Sequence, residues 1–487
     1  MNFKTPDWVK NAVFYQIFPD RFARSLQPQP GLWQSSNLEA WDAPPTFTGY
    51  KGGDLWGVIN QLDYLQDLGI NAIYFTPIFQ SASNHRYHTH DYYQVDPLLG
   101  GNVAFDALIL AAHQKNIRVV LDGVFNHASR GFFFFNDILE NGTDSVWLDW
   151  FKIQKWPLSA YDGAKEANYL SWVGNRALPQ FNHDNPQVKE YIMQVGEYWL
   201  EKGIDGWRLD VPNEVTTPGF WQEFRDRVKA INPEAYIVGE IWSDASQWLD
   251  GTQFDGVMNY RFAEPTIAFT AGDRFIPEYI QPHYTPYPPL NASDYAHQIQ
   301  HLIDLYPWEI QLTQLNLLNS HDTSRMLTAV GEDRASVYLS TILLFTFPGA
   351  PCLFYGDEIG LPGGKDPDCR RGFPPEADWD RDLLNHYKQL IALRHQYPAL
   401  RTGKYQVLYA EDHTYVLARI LASQMVIVAV NTAINPVSAS VPVAHHQIQA
   451  SYLVYGTAEF SWSQSSENNT LRLQLPARSG AMIAAEI

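Results

Sequence analysis

Arg208 and Asp210 stand two residues apart in GWRLDVPNEV (206–215), where Gly206, Trp207, Leu209 and Val211 suit a buried strand. On a strand that spacing puts the guanidinium and the carboxylate on one face. Burying both is costly unless hydrogen bonds compensate, and taken alone the pair reads equally well as a structural ion pair. Three other apolar runs end in the same way. IRVVLDGVFNH (117–127) carries Asp122, Asn126 and His127, AYIVGEIW (235–242) carries Glu240, and TQLNLLNSHD (313–322) carries His321 and Asp322. Two carboxylates facing one bond can split a glycoside, one as nucleophile and one as proton donor. Arg208 is expected to keep Asp210 ionised and oriented. A neighbouring anion is expected to raise the pKa of Glu240 so that it holds a proton. Asp322 would bond ring hydroxyls and favour an oxocarbenium-like transition state, while His127 and His321 would donate to hydroxyls of the same sugar. GGKDPD (363–368) lacks the spacing of a phosphate-binding loop, and HRYHTHD (85–91) suits sugar hydroxyls better than zinc.

These residues need a scaffold that brings four strand ends together. Eight strand candidates begin near residues 13, 71, 117, 203, 235, 254, 313 and 350. They alternate with helical patterns such as DLWGVINQLDYLQDLG (54–69) and QVKEYIMQVGEYWLEKG (187–203). Eightfold strand–helix alternation predicts an α/β fold, a (β/α)8 TIM barrel, with chemistry at the C-terminal ends of its strands. Near-continuous apolar strands are what a parallel sheet covered by helices requires. The barrel is expected in 1–126 and 187–399, interrupted after strand three by a subdomain in 127–186. Phe132 to Phe135 are expected to form that subdomain's own core, and the Tyr/Pro-rich stretch 276–291 an ordered loop over the barrel mouth. From 400 to 487 short alternating runs between turn residues predict a C-terminal antiparallel β-sandwich.

The bulk composition narrows the partners. A net charge of −19 disfavours nucleic acid and anionic membrane surfaces, and 16 tryptophans with 27 tyrosines suit stacking on flat neutral ligands. The two cysteines, Cys352 and Cys369, read as free thiols in a reducing compartment. The first residues lack the basic head and apolar run of a signal peptide, and no apolar stretch is long enough to span a bilayer. A cytoplasmic protein without membrane or nucleic-acid partners is expected.

LDGVFNH (121–127), GWRLDVPNE (206–214), GEIW (239–242) and LLNSHDTSR (317–325) resemble, in order, the four signature regions of glycoside hydrolase family 13, the α-amylase family. The resemblance implies Asp210 as nucleophile, Glu240 as acid/base and Asp322 as transition-state stabiliser. It places Arg208, His127 and His321 around the sugar at the scissile bond, with Asp122 and Glu214 also among the substrate-binding residues. RYHTHDY (86–92) is similar to the family's loop after strand two, which makes Tyr87 a stacking platform. GGKDPDCRR (363–371) is similar to its loop after strand eight, which gives Asp366 and Arg370 to the next glucose outward. LPQFN (178–182) and SHDT point within the family to the neopullulanase, cyclomaltodextrinase and maltogenic amylase group, which acts on α-glucan oligosaccharides. The catalytic domain starting at residue 1, without that group's N-terminal β-domain, resembles a maltooligosaccharide debranching enzyme and implies a monomer. A debranching hydrolase is therefore expected, cleaving α-1,6 bonds and α-1,4 bonds more weakly. A maltogenic or cyclodextrin-opening enzyme and a 4-α-glucan transglycosylase are the alternatives. Neither a cofactor nor a metal is expected. Glu214 and Asn182 replace residues that accompany Asn126 in the family's calcium site.

Overall fold

Eight short apolar strands pair side by side in sequence order. They are β1 (Phe14–Ile17), β2 (Ala72–Phe75), β3 (Arg118–Gly123), β4 (Gly206–Leu209), β5 (Tyr236–Gly239), β6 (Gly256–Asn259), β7 (Leu315–Asn316) and β8 (Ala350–Phe354). All pairs are parallel, and β8 returns to β1 to close the barrel. The computed structural model describes residues 4–35, 37–279, 288–444, 448–464 and 468–487. Every residue of β2, β4 and β5 is buried, because one face fills the barrel and the other lies under helices. Neighbouring strands crowd closely where glycine allows it. A Cβ on Gly206 would stand 2.3 Å from the Tyr236 carbonyl oxygen, and one on Gly256 2.3 Å from that of Thr313.

The helical patterns form where the periodicity places them. The 54–69 pattern divides into Leu55–Asn60, capped by Asp54, and Leu62–Leu68. Pro186–Glu201 begins with proline in its first turn and Asn185 as its cap, an efficient start signal. Arg381–Gln396 packs last against the barrel and is followed by the short helix Pro398–Thr402.

Between β3 and Pro186 the chain forms one helix, Phe133–Asn141, several short turns and isolated bridges such as His127 to Gln180 and Phe151 to Phe181. Phe132 and Phe135 are buried there and Phe134 stacks on Trp147 at 3.9 Å. Phe133 corrects the expectation of a four-phenylalanine core: it points to solvent, because a helix cannot turn four consecutive side chains to one side. Residues 280–287 of the expected Tyr/Pro-rich loop lie outside the described residues. Its flank, Tyr279, stands against Gly364 in the loop after β8.

The C-terminal strands are β9 (Lys404–Glu411), β10 (Thr414–Leu421), β11 (Gln424–Asn431), β12 (Val437–Ala444), β13 (Ala450–Gly456), β14 (Glu459–Gln464), β15 (Asn468–Leu475) and β16 (Ser479–Glu486). They form two antiparallel sheets, ordered β9-β10-β11-β16-β13 and β12-β15-β14. Alternation decides which side chain goes where. Val416, Ile427 and Ile483 meet Val441 and Leu471 between the sheets, while Leu417, Val428 and Met482 join the core of the barrel.

Two buried arginines tie this region to the barrel without any carboxylate. Arg394 donates to the carbonyls of Leu400 at 2.9 Å and Gly349 at 2.6 Å. Arg419, on β10, donates to Thr346 at 2.6 Å, to Gly403 at 2.9 Å and to the same Leu400 oxygen at 2.9 Å. Burial pushes both guanidiniums down to about 9.

Candidate active site

Strand register builds the centre of the site. Asp122 on β3 is the direct cross-strand partner of Arg208 on β4, and both side chains are fully buried. Arg208 Nη1 donates to both oxygens of Asp122 at 2.9 Å and to Asp210 Oδ1 at 3.0 Å. Its Nη2 is ion-paired with Glu240 Oε2 at 2.9 Å. One planar guanidinium thus gathers the carboxylates of three strand ends, which a lysine could not do with the same geometry. Asp122 also accepts from Tyr74 at 2.9 Å and from Tyr87 at 3.0 Å. Immediately after Asp210 the chain turns sharply. Val211 has φ 36° and ψ 51°, and the turn aims its N–H at Glu240 Oε2, 3.2 Å away. A β-branched residue in that region is strained, and here the strain directs a donor at a candidate proton carrier.

A second ring closes from β7, β8 and the loop after β2. His321 Nδ1 contacts Gln16 at 2.7 Å, and its Nε2 lies 2.6 Å from the Tyr87 hydroxyl and 3.1 Å from Asp322 Oδ2. Arg370 donates to the His321 carbonyl at 2.8 Å and to Asp322 Oδ1 at 3.1 Å, and pairs with Asp366 at 3.0 Å. Trp242 lies on Tyr260 with ring centres 3.5 Å apart and donates its indole N–H to Glu240 Oε1 at 3.2 Å.

These groups surround a cleft of about 710 Å³ at the C-terminal ends of the barrel strands. Asp210, Glu240, Asp322, Tyr87, His127, Glu214, Asp366 and Arg370 all line it, as the sequence reading expects. Glu214 does so from the turn Pro212–Glu214, its exposed side chain accepting from the Asn213 amide at 3.4 Å. Asp122, Arg208 and His321 were expected against the sugar and do not line the cleft. Register and packing place them one layer beneath, where they fix the groups above them. The cleft has further walls that the sequence reading did not name, including Phe47, Trp172, Val173 and Trp242, and His85 and His88 of the HRYHTHD stretch also line it. Trp172 stacks on His127 with ring centres 5.6 Å apart. The buried Nε2 of His127 has no hydrogen-bond partner among the described residues, and a substrate hydroxyl would supply one.

Burial dominates the electrostatics. It pushes Asp210 well above the usual carboxylate range, against the opposing pull of Arg208. It raises Glu240 in the same way, again with Arg208 opposing, and raises Asp122 to about 6. Arg208 pulls Asp210 toward the ionised form, but one cation is divided among three buried carboxyl groups and burial outweighs it. The protons they retain belong to the cluster rather than to one residue. The imidazoles are neutral. Burial drives His321 far down and His127 to about 3, which leaves both as uncharged hydrogen-bonding groups.

Among the described residues no group of three or more His, Cys, Asp or Glu side chains could hold a metal ion. At the positions expected for calcium, the Asn126 side-chain oxygen already has a protein partner. Asn126 Oδ1 accepts from Gln180 at 3.1 Å, and Asn182 donates to the Asp149 carbonyl at 2.9 Å. Among the described residues no helix is long and apolar enough to cross a membrane.

Comparison with known proteins agrees with this geometry. The α-amylase catalytic domain matches residues 16–371 and the α-amylase C-terminal domain residues 403–483. A cyclomaltodextrinase of Geobacillus thermopakistaniensis is 43% identical, over 88% of this chain and 70% of that protein. Neopullulanase 2 of Thermoactinomyces vulgaris is likewise 43% identical, over 88% of this chain and 70% of its own length. A crystal structure of a debranching enzyme from Nostoc punctiforme is 65% identical, covers 100% of both chains and superposes with a TM-score of 0.93. A closed parallel barrel with carboxylates, arginine and histidines at its strand ends, matched by these relatives, makes the chain a glycoside hydrolase that belongs to the α-amylase family.

Proposed function

We propose that the protein is a retaining α-glucan hydrolase that removes α-1,6-linked branches from maltooligosaccharides and cleaves α-1,4 bonds more weakly. The observation that carries the mechanism is the single guanidinium of Arg208, bound to Asp210 and Glu240 through its two terminal nitrogens. Two carboxyls sharing one guanidinium stand close together, the arrangement that suits a covalent glycosyl intermediate. In this reading Asp210 attacks the anomeric carbon as the glycosidic C–O bond breaks. Glu240 gives its proton to the departing oxygen, helped by a buried site that retains protons. Water then attacks the intermediate, Glu240 takes a proton from it, and Asp210 leaves. Asp322, held by Arg370, bonds the ring hydroxyls as positive charge develops. Tyr87 and His127 orient that sugar, while Asp366 and Arg370 clasp the next one. Asp122, Arg208 and His321 act from beneath by holding the carboxylates and Tyr87 in place. Glu214, at the rim, meets the other side of the bond. No cofactor or metal takes part, and the protein works in the cytoplasm.

The α-1,6 preference is supported by the end-to-end likeness to the Nostoc debranching enzyme. The curated relatives named cyclomaltodextrinase favour the competing reading, ring opening at α-1,4 bonds. Initial rates on a branched oligosaccharide, a linear one of equal size and β-cyclodextrin separate the two. The branched substrate should be fastest, with the α-anomer the first product in proton NMR. A faster linear or cyclic substrate rejects the linkage assignment, and a β-anomer formed first rejects double displacement.

A further inference from the structure

Val173 stands on the turn Trp172–Gly174 of the segment inserted after β3, in the left-handed conformation φ 44°, ψ 29°. Among the described residues only two β-branched side chains adopt positive φ, Val173 and Val211, and both line the cleft. For Val211 the conformation has a visible use, since its N–H reaches Glu240. For Val173 the fold supplies none: the side chain is 79% exposed. A left-handed valine is sterically unfavourable, and an exposed isopropyl group gains nothing from folding. The turn nonetheless holds it firmly. Trp172 N–H donates to the Leu178 carbonyl at 3.1 Å, Asn175 N–H to that of Trp172 at 2.8 Å and Leu178 N–H to that of Asn175 at 2.9 Å. The ring of Trp172 is fixed on His127 at the floor of the cleft. Strained residues held by well-bonded surroundings cluster at ligand clamps.

We propose that Val173 is a specificity-determining substrate contact, whose isopropyl group packs on the C–H face of a bound glucosyl unit. This rests on the reading of the cleft as an α-glucan site. Covering the side chain with sugar supplies the apolar burial that folding leaves out, and a rigid turn does so with little loss of freedom.

Three variants, Val173→Gly, Val173→Asn and Val173→Ile, test it on one branched maltooligosaccharide, with KM, kcat and melting midpoint measured for each. Glycine and asparagine accept the left-handed conformation without the branched Cβ, so their midpoints should stay level or rise. Their KM should rise about five- to tenfold, the value of a partly buried valine contact, with kcat within about twofold. The isoleucine variant, which keeps the apolar contact, should hold KM within about twofold. The inference is overturned if the glycine and asparagine variants keep the wild-type KM, if their midpoints fall together with activity, or if isoleucine raises KM as much as glycine does. Asp210→Asn, assayed alongside, separates the two levels. If it remains active the reading of the cleft fails, whereas if it is inactive and the Val173 variants keep their KM, only the role of Val173 fails.

Discussion

Replacing Asp122 by asparagine should shift the whole pH–activity profile toward acid. Asp122 and Asp210 accept from the same Arg208 nitrogen at 2.9 and 3.0 Å, so their oxygens stand close together. Two like charges about 6 Å apart repel by about 0.7 kcal/mol with the screening of bulk water and by about 2.8 kcal/mol at an effective dielectric of about 20. At 1.36 kcal/mol for each pH unit, that corresponds to about half a unit to two units. The sign follows from the charge removed: without the Asp122 anion each remaining carboxyl of the cluster ionises more easily. The limb set by ionisation of the nucleophile and the limb set by loss of the donor proton therefore both move to lower pH. Asparagine keeps the size of the side chain and one oxygen that can accept from Arg208. Its amide nitrogen would face the Tyr74 and Tyr87 hydroxyls and also the same guanidinium nitrogen, so the melting midpoint should fall. The assay is kcat/KM on an aryl maltooligoside from about pH 4 to 9, read with the melting midpoint to show that the variant is folded. A folded variant whose profile stays in place, or moves toward alkali, refutes the argument that these carboxyls share one cation.

Asp210→Asn, Glu240→Gln and Asp322→Asn should each lower kcat by about 10²–10⁴-fold or more with circular dichroism unchanged; a variant keeping a tenth of the wild-type rate would remove that residue from the mechanism. EDTA should leave both activity and melting midpoint unchanged, because Asn126 Oδ1 already accepts from Gln180, and a midpoint restored by added calcium would show a metal site. Glu358, just after β8, is raised from 4.5 to about 7 by burial, although the Tyr15 and Tyr64 hydroxyls donate to it. Its raised folded pKa gives stability that is present below about pH 4.5 and is lost as pH climbs through 7, so Glu358→Gln should show a smaller fall in melting midpoint between about pH 5 and pH 8 than the wild type. An equal fall in both proteins would place the titration elsewhere.

The barrel was legible because a parallel strand buried on both faces must be apolar throughout, so a polar residue at its end stands out. Asp122, Arg208, Glu240 and Asp322 announced themselves in that way. Depth was not legible. Spacing along one strand says which face a side chain takes, whereas the layer it reaches depends on neighbouring strands, and Asp122, Arg208 and His321 lie below the surface they were expected to form. Tyr74 was hidden inside an apolar run as one more aromatic, and only the structure shows its hydroxyl on Asp122. Trp242 and Tyr260 form a stack across two strand ends, a pairing that no local pattern encodes. Val173 and Phe47 gave no signal either, since an exposed apolar residue in a loop is ordinary until the cleft beside it is seen.

The carbonyl-bound arginines at the base of the C-terminal sheets bear on how the molecule comes apart. Arg394 and Arg419 share the Leu400 oxygen, and their other acceptors include the ends of barrel elements, Gly349 before β8 and Thr346 at the end of the preceding helix. Peeling the sheets away would strip a buried cation of its acceptors and open the apolar core that both regions share. Separation and melting then become the same event, and the chain should denature in a single calorimetric transition rather than shed its C-terminal region first. The bonds run to peptide dipoles rather than to counter-ions, so added salt should do little to loosen that union.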